Sequence, residues 1–401
     1  MRDHYLKNEW QSYPSAWPQV LARGRFMEFR ENCLILWQKG QILSFESEKW
    51  TLHNTALPPQ EVLKEGDLIE IAADGQSLQL LAPALIPWKK PVVATYELQR
   101  WSLFLQVVKK YFQQQEFLEV ATPTLVTCPG SEPTLDPIAV SFPAQKEPLY
   151  LPTSPEWHLK KALARGYERI FEVRSCFRAG EVSPRHRPEF WMLEWYRSYS
   201  PLIEIQQDIE ALIQALHAQM GGQKPRRVYS KTIAELFREY LHFDFTPQTK
   251  ESQLRELAAQ LGVDLTPAQN IDDCFFLIFM EKIESQLPEE DLIFVNKYPP
   301  YQAALARLDE QGWGERFEAY WQGFELANAF YELNDPHIQR QRFAEDMAKK
   351  TQLGKAVVPS DEDFFAALEM GLPPSSGVAL GLERLYMALF SIKDIQQLRV
   401  F

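Results

Sequence analysis

Hydrophobic positions follow two different periods along this 401-residue chain. Between residues 20 and 86, short apolar runs at residues 34–37, 41–45, 68–71 and 78–81 are separated by turn residues, which is typical of β-strands. Strands of this length and spacing predict a small all-β domain, either a barrel or a sandwich. An oligonucleotide-binding barrel is one fold of this kind.

A stretch marked by proline and lysine, residues 86–91, ends this region and is typical of a linker. We therefore divide the chain into a β-barrel-like N-terminal domain over residues 1–88 and a larger domain over residues 89–401. Two domains also agree with the chain length, because a single core of this size is near its practical limit.

In the larger domain, apolar residues recur every three to four positions between residues 96 and 117, which predicts an amphipathic helix. Similar patterns predict further helices over residues 158–166, 202–219, 251–260 and 382–390. Other apolar runs predict strands over residues 169–178, 188–197, 292–306 and 317–333. The helices cluster between strands that return to one another, which favours an α+β fold over strict alternation of strand and helix.

Composition and charge exclude several classes of protein. The net charge of −12 argues against a surface that binds nucleic acid as a whole, so RNA contact would need a local basic patch. Residues 224–227 are one candidate for such a patch, and Lys160-Lys161 with Arg165 and Arg169 are another, although solvated surface is the simpler interpretation of both. The four cysteines have no zinc-binding or C-x-x-C spacing, which favours buried thiols.

The same sequence predicts a cytoplasmic protein. No apolar run approaches the ~18 residues that a membrane-spanning helix requires. The first residues of the chain also lack the apolar segment of a secretory signal.

Two predicted strands carry charged side chains in a pattern that chemistry could use. Alternation places Glu172, Arg174 and Arg178 on one face of the first strand, which is either solvated or part of a polar cleft. Glu194 lies within an aromatic, apolar run of the second. A buried carboxylate is costly unless it is paired, so a cation is implied, from either a protein arginine or a ligand ammonium.

Further candidates lie later in the chain. Residues 377–381 are glycine-rich and precede a predicted helix, an arrangement that suits phosphate, although a generic glycine-rich turn is the alternative. Arg384 lies in the first turn of that helix, where a positive charge opposes the helix dipole and another role is suggested. Glu325 and Glu332 are seven positions apart and would reach one metal ion only if the strand bulges between them.

These segments resemble the catalytic domain of class II aminoacyl-tRNA synthetases of the lysyl type, over roughly residues 95–401. Residues 118–123 resemble motif 1, residues 177–196 resemble motif 2, and residues 377–384 resemble motif 3. Within that group the chain is most similar to the lysyl-tRNA synthetase paralogues that modify elongation factor P. Those paralogues have alanine at the position of Ala379, where lysyl-tRNA synthetases generally have glycine.

The resemblance implies an antiparallel sheet flanked by helices, a homodimer, and a ligase that uses ATP and Mg²⁺. It implies activation of a lysine-type amino acid, (R)-β-lysine among them, and its transfer to elongation factor P. Arg178 and Arg384 would be catalytic through contacts with phosphate. The implied ATP contacts are Arg178, Glu181, His186, Arg187, Phe190, Glu325, Leu326, Gly381 and Arg384. The implied amino-acid contacts are Ser154, Pro155, Glu156, Glu194, Tyr196, Glu332 and Ala379, and the implied metal ligands are Glu325 and Glu332.

Two alternatives remain open from the sequence. The N-terminal all-β region motivates a reduced lysyl-tRNA synthetase that charges tRNA, an acceptor less favoured than elongation factor P. The motif 2 loop departs from the family pattern at Gly180, which displaces Glu181, and at Arg187, which replaces an asparagine. These departures motivate a catalytically silent paralogue that only binds a nucleotide, an amino acid or a partner.

Overall fold

The computed structural model describes residues 2, 3, 6, 19–38, 41–88, 95–143, 147–303 and 305–398. The chain forms two compact units, with the breaks at Trp101/Ser102 and at Gln396/Gln397. The linker and the domain boundary at residue 88 stay predictions, because residues 89–94 lie outside the described part. None of the described helices combines the length and the apolar character that a membrane crossing requires.

The first unit contains one six-stranded sheet with the order β3-β2-β1-β5-β6-β4. Its elements are β1 (Val20–Arg30), β2 (Cys33–Gln38), β3 (Gln41–Glu46), β4 (Thr51–Leu52), α1 (Pro59–Val62), β5 (Leu68–Ala72) and β6 (Ser77–Ala82). The long strand β1 pairs with β5 through its first half and with β2 through its second half. The predicted all-β character of this region is confirmed, and closure into a barrel stays a prediction.

The remaining strands are β7 (Leu118–Glu119), β8 (Ile138–Val140), β9 (Leu149–Leu151), β10 (Arg169–Phe177), β11 (Glu189–Ser198), β12 (Val228–Thr232), β13 (Leu292–Tyr298), β14 (Gly314–Trp321), β15 (Phe324–Tyr331) and β16 (Ser375–Gly381). The remaining α-helices are α2 (Thr95–Gln114), α3 (Glu156–Ala164), α4 (Leu202–Met220), α5 (Ile233–Leu241), α6 (Glu251–Leu261), α7 (Ile271–Lys282), α8 (Pro336–Gln352), α9 (Glu362–Gly371) and α10 (Leu382–Phe390). Short 3₁₀ turns cover Glu284–Gln286, Pro300–Gln302 and Ile395–Leu398.

An eight-stranded sheet with the order β12-β13-β14-β15-β16-β11-β10-β7 forms the centre of the second unit. Only its two outermost strand pairs are parallel, so the predicted α+β fold with an antiparallel sheet is confirmed. Two predictions within it were wrong. The run predicted as one strand over residues 317–333 is split by a tight turn at Gln322 and Gly323, both with positive φ. The glycine-rich segment is the central strand β16, not a turn, because β11 and β15 both pair with it.

The two faces of this sheet differ in character. On one face, Phe112 of α2 stacks on Phe171, with ring centroids 5.0 Å apart. Trp195 lies on the same face and donates a hydrogen bond from Nε1 to Asp208 of α4, at 3.0 Å. Helices therefore cover this face, and the charged side chains that alternate with Phe171 and Trp195 point to the other one.

Candidate active site

The central strands bring side chains from distant segments into rows on this second face, part of which packs against helices α3 and α9. Asn328 of β15, Ala379 of β16 and Glu194 of β11 are successive cross-strand partners. Gly377 and Tyr196 pair in the next row of the same face. Residues that lie directly opposite on neighbouring strands share a face, so segments more than 180 positions apart meet here.

A β-bulge in β15 brings a further carboxylate to this face. Ala319 of β14 pairs with Ala327 of β15, but the next residue of β14, Tyr320, pairs with Glu325. The pairing thus moves by one residue on β14 and by two on β15. Leu326 is therefore an extra residue, and it reverses the alternation of side chains. Glu325 consequently faces the same side as Asn328. The bulge needed for Glu325 and Glu332 to share a face is thus present.

A cavity of about 240 Å³ lies over this face. One water molecule needs only ~10–15 Å³ on this measure, so a much larger ligand fits. All nine residues predicted to contact ATP line it: Arg178, Glu181, His186, Arg187, Phe190, Glu325, Leu326, Gly381 and Arg384. Of the residues predicted to contact the amino acid, four line it: Ser154, Glu156, Glu194 and Ala379. The other three, Pro155, Tyr196 and Glu332, are not part of its wall.

Glu194 is a buried carboxylate that is only half satisfied. Glu194 is 1% exposed, and its Oε2 accepts a hydrogen bond from the Tyr196 hydroxyl at 3.2 Å. Oε1 has no hydrogen-bond partner among the residues that the structure describes. Burial, together with the nearby Glu156 charge, raises the pKa of Glu194 well above its usual value. A ligand ammonium would satisfy the free oxygen and favour the ionised form.

The buried Lys160 ammonium forms ion pairs with two carboxylates, those of Glu156 and Glu332. The ammonium lies 2.5 Å from Glu156 and 2.6 Å from Glu332, in a residue 1% exposed. Burial acts to lower the pKa of Lys160, but the two carboxylates outweigh it and raise the pKa. Lys161 is also buried and pairs with Asp361 at 2.5 Å. The Lys160-Lys161 pair is therefore neither a basic patch nor a solvated surface, and both interpretations of it were wrong.

Two arginines line the opposite end of the cavity with unused donors. Arg178 Nε and Arg187 Nη1 are buried, and neither has a hydrogen-bond acceptor in the described part of the chain. The Arg178 guanidinium lies over the Phe190 ring at 5.0 Å, and its nearest carboxylate, Glu181, is 4.0 Å away. Buried donors without acceptors are rare in proteins, so this end of the cavity is suited to an anion with several oxygens.

Arg384 of α10 is held in the cavity wall by hydrogen bonds. It donates to the backbone carbonyl of Glu325 at 2.7 Å and to His186 Nε2 at 2.5 Å. An arginine can only donate, so His186 accepts through Nε2 and carries its proton on Nδ1, which faces the Ser183 hydroxyl at 2.9 Å. Burial and the Arg384 charge lower the pKa of His186, which keeps the ring neutral.

Residues 153–156 lie at the start of α3. Pro155 is the N-cap residue of this helix, and its side chain can accept no hydrogen bond. Ser154 Oγ instead accepts from the Glu156 amide at 3.3 Å. This geometry directs both Ser154 and Glu156 to the cavity wall.

The predicted metal pair has unequal surroundings. Within the described residues, no cluster of three or more His, Cys, Asp or Glu side chains has a metal-binding arrangement. Glu325 lines the cavity, and its side chain is 38% exposed beside Arg384. Glu332 is buried against Lys160, and burial raises its pKa to about 8. Glu325 thus has an accessible carboxylate for a metal ion, whereas Glu332 already has a cation.

Sequence reasoning missed several residues of the wall. They include Glu132, Arg185, Met192, Leu305, Asn328, Phe330 and Ile395. It also missed the role of Lys160, although the spacing of four positions from Glu156 on a predicted helix indicated an ion pair. For Glu132 and Asn328 no local pattern distinguishes a cavity residue from a surface residue.

Comparison with known proteins gives a consistent picture. The family model described as tRNA synthetases class II (D, K and N) matches residues 92–401. The chain is 35% identical over 324 residues to an elongation factor P--(R)-beta-lysine ligase from Edwardsiella ictaluri, which covers 78% of this chain and 97% of the relative. A protein of the same name from Haemophilus influenzae is 34% identical over 325 residues, or 79% of this chain and 98% of the relative. Another, from Hamiltonella defensa, is 33% identical over 305 residues, or 74% of this chain and 92% of the relative.

Proposed function

Since this chain belongs to the class II tRNA synthetases of the D, K and N group, we propose that it activates a lysine-type amino acid with ATP and transfers it to elongation factor P. The chain is an ATP-dependent amino-acid ligase that acts through an aminoacyl-adenylate. (R)-β-lysine is the proposed amino acid and a lysine side chain of elongation factor P the acceptor, as the names of the relatives suggest. One observation carries the proposal: unused arginine donors and an unused carboxylate oxygen line the same cavity.

The arginine end would bind the phosphates. In the proposed reaction the amino-acid carboxylate attacks the α-phosphorus of ATP, and the bond to the β-phosphate oxygen breaks to release pyrophosphate. Arg178 and Arg384 would neutralise the charge that spreads over the phosphate oxygens. Phe190 and His186 would cover the adenine ring, and Arg187 would add a donor at its buried Nη1. The remaining ATP contacts would come from the wall residues Glu181, Glu325, Leu326 and Gly381.

The acidic end would bind the amino acid. Glu194 and Tyr196 would hold the side-chain ammonium, because Glu194 Oε1 lacks a partner and the tyrosine fixes Oε2. Ser154 and Glu156 would form the wall nearest the reacting carboxylate. Ala379 lies opposite Glu194 in the sheet, so its methyl group would narrow the floor. Pro155 and Glu332 would act indirectly, by setting the helix start and by holding Lys160.

Mg²⁺ belongs to the proposal as well. Glu325 fits such an ion, since magnesium usually takes one or two carboxylates together with phosphate oxygens. When bound, the ion would supply positive charge to the phosphates. The participation of Glu332 as a second ligand stays a prediction, because Lys160 already neutralises it.

A homodimer in the cytoplasm completes the proposal. Leu118 of β7 lies in the edge strand of the large sheet and is 50% exposed, and Leu103 and Leu125 are 44% and 41% exposed. Apolar side chains at a sheet edge favour burial against a second copy. A cytoplasmic location would bring the chain together with its proposed acceptor, a translation factor.

The first test is ATP–pyrophosphate exchange with (R)-β-lysine, α-lysine and a panel of other amino acids. We expect exchange with lysine-type substrates, highest with (R)-β-lysine, and none in an Arg384→Ala control. Purified elongation factor P and total tRNA are then compared as acceptors. Labelling of tRNA alone would favour the reduced synthetase, and absence of exchange with every amino acid would favour the silent paralogue.

A further inference from the structure

Glu132 is a cavity carboxylate to which the proposed mechanism gives no role. It lines the same wall as Ser154 and Glu156. Its carboxylate has no ion pair or side-chain hydrogen bond within the part of the chain that the structure describes. Burial, together with the charge of Glu156, raises its pKa, which means that the empty cavity opposes its ionisation. A bound cation would reverse this effect.

The segment that carries Glu132, residues 129–136, is fixed at several points. The Thr153 hydroxyl donates to the Pro129 carbonyl at 2.6 Å, and the Ser131 hydroxyl donates to Asp346 at 2.8 Å. The buried Lys350 ammonium donates to the Leu135 carbonyl at 2.8 Å. A carboxylate on a segment held in this way is positioned in advance, which lowers the cost of binding a ligand.

The absence of a side chain at Gly130 leaves space for the Glu132 carboxylate. The φ of Gly130 is +137°, and a Cβ at this position would lie 2.6 Å from Glu132 Oε2 and 3.0 Å from the Thr153 hydroxyl. A larger residue would therefore displace the carboxylate. The position of the Glu132 side chain therefore depends on the backbone conformation at Gly130.

Two carboxyl groups of the cavity wall correspond in number to the two ammonium groups of a diamino acid. Glu156 and Glu332 share the single positive charge of Lys160, so each of them has a protein cation within ion-pair distance. Among the described residues, Glu132 and Glu194 are the two carboxyl groups at the amino-acid end of the wall that form no ion pair. A lysine-type amino acid carries two ammonium groups, one for each.

The positions of the two carboxyl groups decide which ammonium each receives. Glu132 Oε2 and the Thr153 hydroxyl both lie within 3.0 Å of the same point, the place of a Cβ on Gly130, so Glu132 lies next to the start of the segment Thr153-Ser154-Pro155-Glu156. Ser154 and Glu156 of that segment form the wall proposed above to lie nearest the reacting carboxylate. Glu194 instead lies on the sheet, opposite Ala379 and hydrogen-bonded to Tyr196, at the far end of the substrate.

We propose that Glu132 is a specificity-determining residue that binds the ammonium group next to the reacting carboxylate of the amino acid. The inference rests on the proposed function, since it assumes a lysine-type substrate in this cavity. It distinguishes Glu132 from Glu194, which would recognise the distal ammonium. Loss of Glu132 should therefore weaken binding of lysine and its β-isomer but not of an analogue that lacks the proximal amine.

The test measures binding by calorimetry, which requires no turnover. The ligands are (R)-β-lysine, α-lysine and 6-aminohexanoate, which keeps the carboxylate and the distal ammonium but has a methylene in place of the amine. In Glu132→Gln we expect both lysines to bind about 10- to 100-fold more weakly, the loss expected for a hydrogen bond to a charged group. Binding of 6-aminohexanoate should change less than about two-fold. Asp136→Asn, an exposed position on the same segment, is the matched control and should leave all three affinities unchanged.

The outcomes separate the two proposals. Equal weakening of all three ligands in Glu132→Gln, or no weakening of either lysine, would overturn the role of Glu132. A wild-type protein that binds lysines but gives no exchange contradicts the proposed function, while the comparison of affinities still decides the role of Glu132. Failure of the wild type to bind any of the three ligands would overturn both.

Discussion

At the scale of single residues, the buried carboxyl group of Glu194 lowers the stability of the ligand-free protein and has an oxygen left for a ligand. Its pKa is raised well above the ordinary value of 4.5, so the folded state keeps this proton to a higher pH than the unfolded chain does. The sign of the effect follows from this difference: the protein loses stability as pH rises above 4.5 toward the folded pKa. A buried acid that destabilises the empty protein is typical of a binding residue.

We predict that Glu194→Gln raises the melting temperature of the empty protein by a few degrees near pH 8. Each pKa unit of the shift corresponds to about 1.4 kcal/mol, and glutamine removes the cost of ionisation while keeping the shape. The gain should shrink as pH falls toward about 5. Thermal unfolding of both proteins across this range measures it.

Glu189→Gln, at an exposed position on the same strand, serves as the control and should have no pH-dependent gain. The Glu194 variant should also lose detectable binding of lysine-type amino acids. A variant that is less stable than wild type at every pH would contradict the assignment of Glu194 as a strained, ligand-free carboxylate.

At the scale of elements, strand β16 forms the floor of the amino-acid end because it carries a glycine there. A Cβ on Gly377 would lie 2.1 Å from Tyr196 Cε1 and 2.4 Å from Glu332 Oε1. The tyrosine therefore lies directly over the backbone of the neighbouring strand. No side chain at this position is compatible with the observed arrangement of Tyr196 and Glu332.

We predict that Gly377→Ala destabilises the protein by about 1–3 kcal/mol, the usual cost of overpacking a core. It should also abolish lysine binding, because Tyr196 can no longer orient Glu194. Gly381→Ala on the same strand is the matched control for stability. Its Cβ would meet only Arg384 side-chain atoms, at 3.6 Å or more, so its melting temperature should stay near that of wild type. Equal destabilisation by both changes would mean that strand propensity, not the packing of Tyr196, explains the effect.

At the scale of the whole molecule, the edge of the large sheet decides the proposed assembly. β7 pairs only with β10, and its Leu118 side chain is half exposed. We predict that the wild type is a dimer by light scattering at micromolar concentration, and that Leu118→Glu gives a single-chain mass. A charge buried in an apolar interface without a partner is costly, which explains the expected dissociation.

Leu308→Glu provides the control, since Leu308 is 42% exposed and lies outside the β7 edge. That variant should remain a dimer. A wild-type mass equal to one chain would contradict the proposed assembly, and dissociation by both variants would place the interface elsewhere or indicate general loss of folding.

Local periodicity was sufficient for much of the fold. The predicted helices and the strands β10 and β11 begin and end within a few residues of the predicted bounds, and helix α10 has the predicted bounds, Leu382–Phe390. The strand predicted over residues 292–306 instead ends at Tyr298. Alternation also placed Phe171 and Glu172 correctly on opposite faces of β10. These features depend on residues that are close in sequence, and their period is visible without any tertiary contact.

The sequence by itself thus determined the fold class, the charged face of β10 and, through the order of its motifs, a part of the cavity wall. The tertiary structure alone decided which charges are neutralised: it buried Lys160 between Glu156 and Glu332 and left Glu132 and one oxygen of Glu194 without a cation. It also decided that residues 375–381 are a strand and that a bulge turns Glu325 to the cavity. The physical reason is that burial, pairing and register arise from contacts between segments far apart in the chain, which no local pattern specifies.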